Sequence, residues 1–175
     1  MQRDIDFITE LGRPFLAHRL RRLAELFVEG YGRWLPDLGV EAPPRTLSTF
    51  LLLEREGPLG ITEVAARLRL SHPLVIKLVR GLETQGFVEA LGDPGDGRRR
   101  LVALTVAGHG QAATIARAVR VLDRAYAGLI AEIGVDLVEA CSRVEKACLD
   151  TSFEERLRRA AETNQQKETT CASPW

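Results

Sequence analysis

Residues 61–105 read ITEVAARLRLSHPLVIKLVRGLETQGFVEALGDPGDGRRRLVALT. The first part holds two short segments with apolar residues at helical spacing, and Thr62 and Ser71 stand where a side chain can cap each helix. Two β-like runs, 87–91 and 101–105, then flank a Gly/Pro/Asp loop, which is typical of a hairpin. With a further helix beginning near residue 45, this order predicts a winged helix-turn-helix domain.

The segment that starts at Ser71 has the pattern of a recognition helix. Val75, Leu78, Val79 and Leu82 are spaced i, i+3, i+4 and i+7, so they form one apolar stripe facing a core. The other face can enter the major groove of DNA, where Lys and Arg suit guanine edges and phosphates. An ordinary amphipathic surface helix would show the same pattern, and the hairpin that follows is what favours DNA binding. The predicted DNA-contacting residues of this helix are Ser71, His72, Pro73, Leu74, Ile76, Lys77 and Arg80.

The loop between the two β-like runs ends in three consecutive arginines. Their mutual repulsion is unfavourable unless a polyanion meets them, and an arginine on a narrow loop can insert into a minor groove. A solvated turn with a charged rim is the alternative. The predicted DNA-contacting residues of the hairpin are Asp96, Arg98, Arg99 and Arg100, with Asp96 holding the Arg98 guanidinium in place.

The flanking sequence is helical. Apolar residues recur at three- and four-residue steps over 4–35, and Gly12 and Pro14 predict a break into a short and a longer helix. After the hairpin, one helix spans about 106–131 and another begins after Gly134. The predicted fold class is mostly α with a small β-hairpin wing. The predicted domains are N-terminal dimerisation helices and linker (1–44), winged helix-turn-helix domain (45–106), C-terminal dimerisation helices (107–160) and a flexible tail (161–175).

Composition sets limits on partners and compartment. The 175 residues include 24 Lys+Arg and 24 Asp+Glu, so total charge does not favour nucleic acid, although residues 67–100 hold seven basic and four acidic side chains. The N-terminus carries acids and lacks a long apolar run, which predicts neither signal peptide nor membrane span and hence a cytoplasmic protein. The chain has an odd number of cysteines, Cys141, Cys148 and Cys171, so we do not expect a framework of structural disulfides.

Catalytic and metal chemistry find no support. The Asp93 and Asp96 spacing fails as a calcium loop because Leu104 stands where a bidentate acid is needed, and His18, His72 and His109 are scattered. With no phosphate-binding glycine loop or nucleophile motif, we expect no enzyme activity, no cofactor and no metal. Cys141 and Cys148 are interpreted as small apolar core residues, and a redox role for any of the three cysteines is left open.

The sequence resembles the MarR family of bacterial regulators. The hairpin DPGDGRRRLVALTVAG (93–108) is similar to the family signature Asp-Pro-x-Asp-x-Arg…Leu-Thr-x-x-Gly, and residues 61–88 resemble the helix pair that precedes it. The resemblance implies that Arg98 reaches the minor groove, oriented by Asp96, and that helices in 4–35 and 134–158 interlock two subunits. Leu74 and Ile76 depart from the small hydroxyl residues common in the family, so base contacts there are expected to be apolar.

The resemblance also implies the partners. They are double-stranded DNA with a near-palindromic operator, a second copy of the chain in a homodimer, and a small aromatic or amphipathic effector that would relieve repression. The predicted effector pocket has aromatic and apolar walls, although the same residues also fit a dimer core; they are Phe15, His18, Leu23, Phe27, Tyr31, Trp34 and Phe50. The alternative function is a winged-helix protein-interaction module or a ligand-independent accessory factor, which the zero net charge and the apolar Leu74 and Ile76 would suit.

Overall fold

The computed structural model describes residues 6–93, residue 95 and residues 99–171, and of residues 164–171 only the backbone. The helices are α1 (Phe7–Leu11), α2 (Leu16–Trp34), α3 (Leu47–Glu56), α4 (Ile61–Leu68), α5 (His72–Thr84), α6 (Val106–Ile133), α7 (Leu137–Asp150) and α8 (Phe153–Cys171). The strands are β1 (Leu59–Gly60), β2 (Val88–Gly92) and β3 (Arg100–Leu104). The predicted fold class, mostly α with a hairpin wing, is confirmed.

The predicted break in the N-terminal helix lies where Gly12 and Pro14 stand. Asp6 caps α1 by accepting hydrogen bonds from the backbone N–H groups of Ile8 (3.1 Å) and Thr9 (3.2 Å). Gly12 ends α1 with a φ of 69°, a conformation that favours glycine. A 3-10 turn, Arg13–Phe15, follows and holds Pro14, and α2 begins after it at Leu16.

The strands form an antiparallel sheet in the order β1-β3-β2. In the hairpin, Val88 is opposite Leu104 and Gly92 is opposite Arg100, close to the predicted runs. Strand β1 was not predicted from the sequence. Its two residues are too few to show an alternating pattern, and they become a strand because Gly60 and Leu59 pair with Leu101 and Val102 of β3.

One hydrophobic core joins the winged helix-turn-helix to the first half of α6. Phe50 of α3 is fully buried, and its ring meets that of Phe87 edge-on with centroids 5.7 Å apart. Ala112, Ile115 and Ala118 of α6 are buried in the same cluster as Val75, Val79 and Leu82 of α5. The chain accordingly divides into two compact units, Met1–Arg124 and Ala125–Trp175, whereas we predicted a division at residue 106.

The Leu-Thr-x-x-Gly part of the signature fastens the hairpin to its neighbours. The Thr105 hydroxyl donates to the carbonyl oxygen of Gly86 (2.6 Å) and accepts from the N–H of Gly108 (3.1 Å). The Thr105 N–H donates to the carbonyl oxygen of Phe87 (3.0 Å). A Cβ atom on Gly108 would lie 2.0 Å from that same oxygen, so only glycine allows α6 to approach so closely. These contacts fix the hairpin's base beside the end of α5.

The second unit, Ala125–Trp175, is helical. Asp136 caps α7, and Arg156 of α8 donates to the carbonyl oxygens of Ala147 (2.7 Å) and Thr151 (3.2 Å) at the end of α7. The interpretation of Cys141 and Cys148 as core residues is wrong for the single chain, since both are exposed.

Helix α8 continues to Cys171, so the backbone through residue 171 is helical in place of the predicted tail from residue 161. The polar composition of residues 160–171 hid this helix, because it leaves no apolar periodicity to detect. Among the described helices, none combines the length and the apolar character needed to cross a membrane.

Candidate nucleic-acid interface

Helix α5 is held by its apolar stripe and by the turn before it. Val75, Val79 and Leu82 are buried, as predicted, and Leu78 is half-buried. Arg69 ends α4 in the left-handed region (φ 52°, ψ 41°), which turns the chain into α5. Ser71 occupies the N-cap position of α5, as predicted, but its side chain makes no capping hydrogen bond.

The cap of α4 differs from the prediction. Its N-cap residue is Gly60, two residues before Thr62, and the Glu63 carboxylate accepts a hydrogen bond from the Gly60 N–H at 2.8 Å. This is one half of a capping box, in which an acid at the third helical position reaches back to the N-cap backbone. Glycine at the N-cap hid the pattern, because a capping box is recognised in sequence by Ser or Thr there.

The outward face of α5 carries the predicted contact residues. Ser71, His72, Pro73, Leu74, Lys77 and Arg80 are exposed, and Ile76 is half-buried. Within the described parts of the chain, the Lys77 and Arg80 side chains form no ion pair. Both cations are therefore available to a ligand, and Leu74 adds an apolar spot beside them.

Two of the four predicted hairpin residues, Asp96 and Arg98, lie outside the described residues, and their roles stay predictions. Arg100 is exposed at the first position of β3. Arg99 is held by two carboxylates: its guanidinium pairs with Glu63 of α4, and its Nη1 lies 3.5 Å from Oδ2 of Asp93. The three consecutive arginines are thus not equivalent, because one of them faces back toward the domain.

The carboxyl group of Glu63 is affected by its contact with Arg99. The hydrogen bond from Arg99, followed by the one from the Gly60 N–H, holds the pKa of the Glu63 carboxyl below its usual range. Asp93 also accepts a hydrogen bond from the Gly95 N–H at 2.8 Å, which orders the start of the loop. We did not predict Glu63 or Asp93 as functional residues. The sequence signals for them were the excess of arginines that need partners and, for Asp93, its place as the first residue of the hairpin signature.

The seven residues of the predicted effector pocket lie in different surroundings. Phe50 belongs to the buried core, so its predicted place in a pocket wall is not supported. Tyr31 and Trp34 are half-buried against that core, and the Tyr31 hydroxyl donates to the carbonyl oxygen of Pro44 at 3.5 Å. His18 and Phe27 are half-buried, whereas Phe15 and Leu23 are exposed.

A surface depression of about 450 Å³ runs along α2. It is lined by Leu16, Arg19, Leu20, Arg22, Leu23 and Leu26. Of the predicted pocket residues, Leu23 alone lines it. Because all of these residues belong to one helix, the depression is an uncovered apolar face rather than an enclosed cavity.

Helix α4, the turn at Arg69, helix α5 and the three-stranded sheet together define a winged helix-turn-helix protein. Residues 42–99 match the model of the MarR family, which confirms the resemblance over this segment. Over this segment, about a third of the chain, the sequence is thus similar to the MarR family. A comparison with curated protein sequences finds no match.

Solved structures share the fold over most of the chain. A probable transcriptional regulator from Pseudomonas aeruginosa is 22% identical with a TM-score of 0.55, and the alignment covers 79% of this chain and 97% of that one. BpsR of Bordetella bronchiseptica, whose DNA binding is regulated by 6-hydroxynicotinic acid, is 20% identical with a TM-score of 0.56 (78% and 93% covered). The DNA complex of S. aureus MepR is 16% identical with a TM-score of 0.54 (89% and 97% covered). At these identities the similarity shows the fold.

Proposed function

We propose that this protein is a homodimeric transcription regulator that binds a near-palindromic site in double-stranded DNA and catalyses no reaction. The observation that carries the proposal is the outward face of α5, where Lys77 and Arg80 are exposed and unpaired among the described residues. A stripe of buried residues fixes the opposite face of the same helix. Such a helix can enter a major groove about 12 Å wide without disturbing the domain that carries it.

Each part of this surface has a role in the proposal. Lys77 and Arg80 donate to guanine edges or phosphates, and Leu74 contacts a thymine methyl group. Ser71 and His72 lie at the start of α5, where backbone N–H groups suit a phosphate oxygen. The hairpin supplies Arg98, oriented by Asp96, and Arg100 to the adjacent minor groove and its phosphates.

The dimer is supported by uncovered apolar side chains. In the first unit, Leu16, Leu20 and Leu26 of α2 are each more than half exposed. In the second unit, Val138, Val144 and Leu149 of α7 are likewise exposed. Apolar patches of this extent mark interaction surfaces, and a second copy of the chain would cover them. The two recognition helices of a dimer would then bind half-sites about one helical turn apart.

DNA binding is tested by fluorescence anisotropy with fragments of the promoter region upstream of the protein's own gene, at several salt concentrations. Each neutralised phosphate adds about −0.9 to the slope of log K against log salt concentration. Lys77→Gln and Arg80→Gln should each weaken binding by about 1–3 kcal/mol if the residue contacts a base. The matched control is Arg120→Gln, an exposed arginine of α6, which should leave the affinity unchanged.

The same experiment distinguishes the regulator from the alternative function, a protein-interaction module. A protein-interaction module that uses Leu74 and the hairpin for another protein would bind no DNA at low salt. Failure of the wild-type protein to bind any promoter fragment under those conditions would therefore reject the regulator and favour the module.

Repression and its relief by a small aromatic or amphipathic effector form the second part of the proposal, for a protein acting in the cytoplasm. The half-buried rings of Phe27, Tyr31 and Trp34 support it, because they offer partly accessible aromatic surface. Titration of small aromatic acids against Trp34 fluorescence, in a Trp175→Phe background, tests binding. An effector that quenches Trp34 should also release DNA, whereas a compound that quenches without release is not the inducer.

A further inference from the structure

The guanidinium of Arg99 joins three separate pieces of the winged domain. It pairs with Glu63 at the start of α4, and its Nη1 lies 3.5 Å from Asp93 at the end of β2. It also covers the backbone of Gly60 in β1, where an added Cβ would lie 3.1 Å from Nη2 and 3.2 Å from Nε of Arg99. The residues Gly60, Glu63, Asp93 and Arg99 are called the wing clamp below.

The wing clamp connects β1, the end of β2 and the start of α4, where few backbone hydrogen bonds hold the strands together. Strand β1 has two residues, and among the described residues the outermost hydrogen bond of the hairpin runs from the Asp93 N–H to the Arg99 carbonyl oxygen at 3.1 Å. Short strands with few pairs open readily. The ion pairs add a side-chain tie between the hairpin and α4, which carries the turn into the recognition helix.

The wing clamp also sets the local charge. Two carboxylates pair with one guanidinium, so the positive charge of Arg99 is compensated within the domain. Arg67 pairs with the carboxylate of Glu56 at 2.8 Å, and its charge also contributes to the lowered pKa of Glu63, after the contributions of Arg99 and the Gly60 N–H. Both Arg99 and Arg100 are exposed, but Arg99 is held by carboxylates, whereas Arg100 forms no ion pair with the described residues.

We propose that Glu63 and Arg99 are positioning residues that hold the wing at a fixed angle to α4 and keep Arg99 away from DNA phosphates. This inference rests on the proposed DNA-binding function and revises the sequence-based prediction that Arg99 contacts DNA. A fixed wing favours the cognate site, because only there do wing and recognition helix reach their grooves together. A released Arg99 would add a sequence-independent phosphate contact, which strengthens binding to any DNA.

The test compares Glu63→Gln with the matched control Glu56→Gln in the full chain. Glutamine keeps an oxygen that can accept the Gly60 N–H, so the cap of α4 survives while the charge is lost. Amide hydrogen exchange at Asp93 should become about two- to fivefold faster in Glu63→Gln and Arg99→Gln, the size expected for exposed ion pairs. The double variant should exchange no faster than Arg99→Gln alone, because Arg99→Gln already removes both ion pairs, and Glu56→Gln should match the wild type at Asp93.

DNA binding provides the second readout. If the ion pair between Glu63 and Arg99 only stabilised the domain, its loss would not change the affinity ratio and the salt slope in the following way. In Glu63→Gln the ratio of cognate to non-cognate affinity should fall about two- to fivefold. Its salt slope on non-cognate DNA should become steeper by about 0.9, the contribution of one phosphate contact. Adding Arg99→Gln should restore the original slope.

The inference is overturned if Asp93 exchange in Glu63→Gln equals that of the control, or if the effects of Glu63→Gln and Arg99→Gln on this exchange are additive. It is equally overturned if the wing exchanges faster but the affinity ratio stays unchanged. A wild-type protein that binds no DNA would refute the proposed function, and with it the DNA part of the inference. The exchange measurement would still decide whether the clamp holds the wing.

Discussion

Replacement of Gly108 by alanine tests whether the contact between α6 and the base of the hairpin is as tight as the structure indicates. Two effects oppose each other. Alanine is favoured over glycine in a helix by about 1 kcal/mol. The new Cβ, however, would lie 2.0 Å from the Phe87 carbonyl oxygen and 3.2 Å from the Leu104 Cβ. Because the first of these atoms is backbone, no side-chain rotation relieves the overlap.

The steric effect should dominate. Overpacking of this kind costs about 1–3 kcal/mol. A shift large enough to separate Cβ from the oxygen also strains the hydrogen bonds that join Thr105 to Gly86, Phe87 and Gly108, each worth about 0.5–1.5 kcal/mol. After subtracting the gain in helix propensity, Gly108→Ala should lower the free energy of unfolding by about 2–4 kcal/mol. In a chain of this size that corresponds to a Tm lower by about 5–15 °C.

The assay is thermal and urea denaturation followed by circular dichroism at one fixed protein concentration, since dimerisation would make Tm depend on concentration. The control is Gly110→Ala in the same helix, where no atom lies within 4 Å of the added Cβ. It should raise the free energy of unfolding by about 0.4–1 kcal/mol. The reasoning is refuted if Gly108→Ala is as stable as the wild type or more stable.

Three further predictions follow from other parts of the chain. Arg69→Gly should stabilise the domain by about 1 kcal/mol, because Arg69 adopts a left-handed conformation that glycine accepts without strain; urea denaturation showing a loss of stability would contradict this. Leu20→Asp on the uncovered face of α2 should convert dimer to monomer in analytical ultracentrifugation while the circular dichroism spectrum stays helical. The hydrogen bond from Arg22 lowers the pKa of the Asp6 carboxyl. The stabilisation that this pair gives the folded state is therefore fully present above the ordinary carboxyl pKa near 4, and it is lost as the pH falls through the lowered pKa. Asp6→Asn should abolish this acid dependence in α1, and an unchanged acid profile of helicity would count against the pairing.

Residues 45–105 could be predicted in detail because their signals are local. The apolar stripe of α5, the Gly57-Pro58 stop after α3 and the Gly/Pro/Asp loop each act within a few residues of their own position. Local propensity and periodicity therefore placed the helices and the hairpin close to where the structure has them. The exposed positions of Lys77 and Arg80 followed from the same periodicity, since a helix that buries one stripe exposes the other.

What the sequence could not give depends on contacts between distant residues. Strand β1 exists only because β3 offers it a partner, and the burial of Ile115 follows from the packing of α6 on the winged domain. The burial of Phe50 involves Phe87, whose ring it contacts from 37 positions away in the chain.

The hairpin arginines show most clearly which features the sequence determines and which the tertiary structure determines. The amino-acid sequence determines that three positive charges follow a glycine-rich turn, because charge and turn propensity belong to the residues themselves. Whether one of those charges faces outward or back toward Glu63 depends on bringing together residues 36 positions apart, which backbone pairing and core packing accomplish. Electrostatic partners are chosen by distance in space, and only the folded chain fixes that distance.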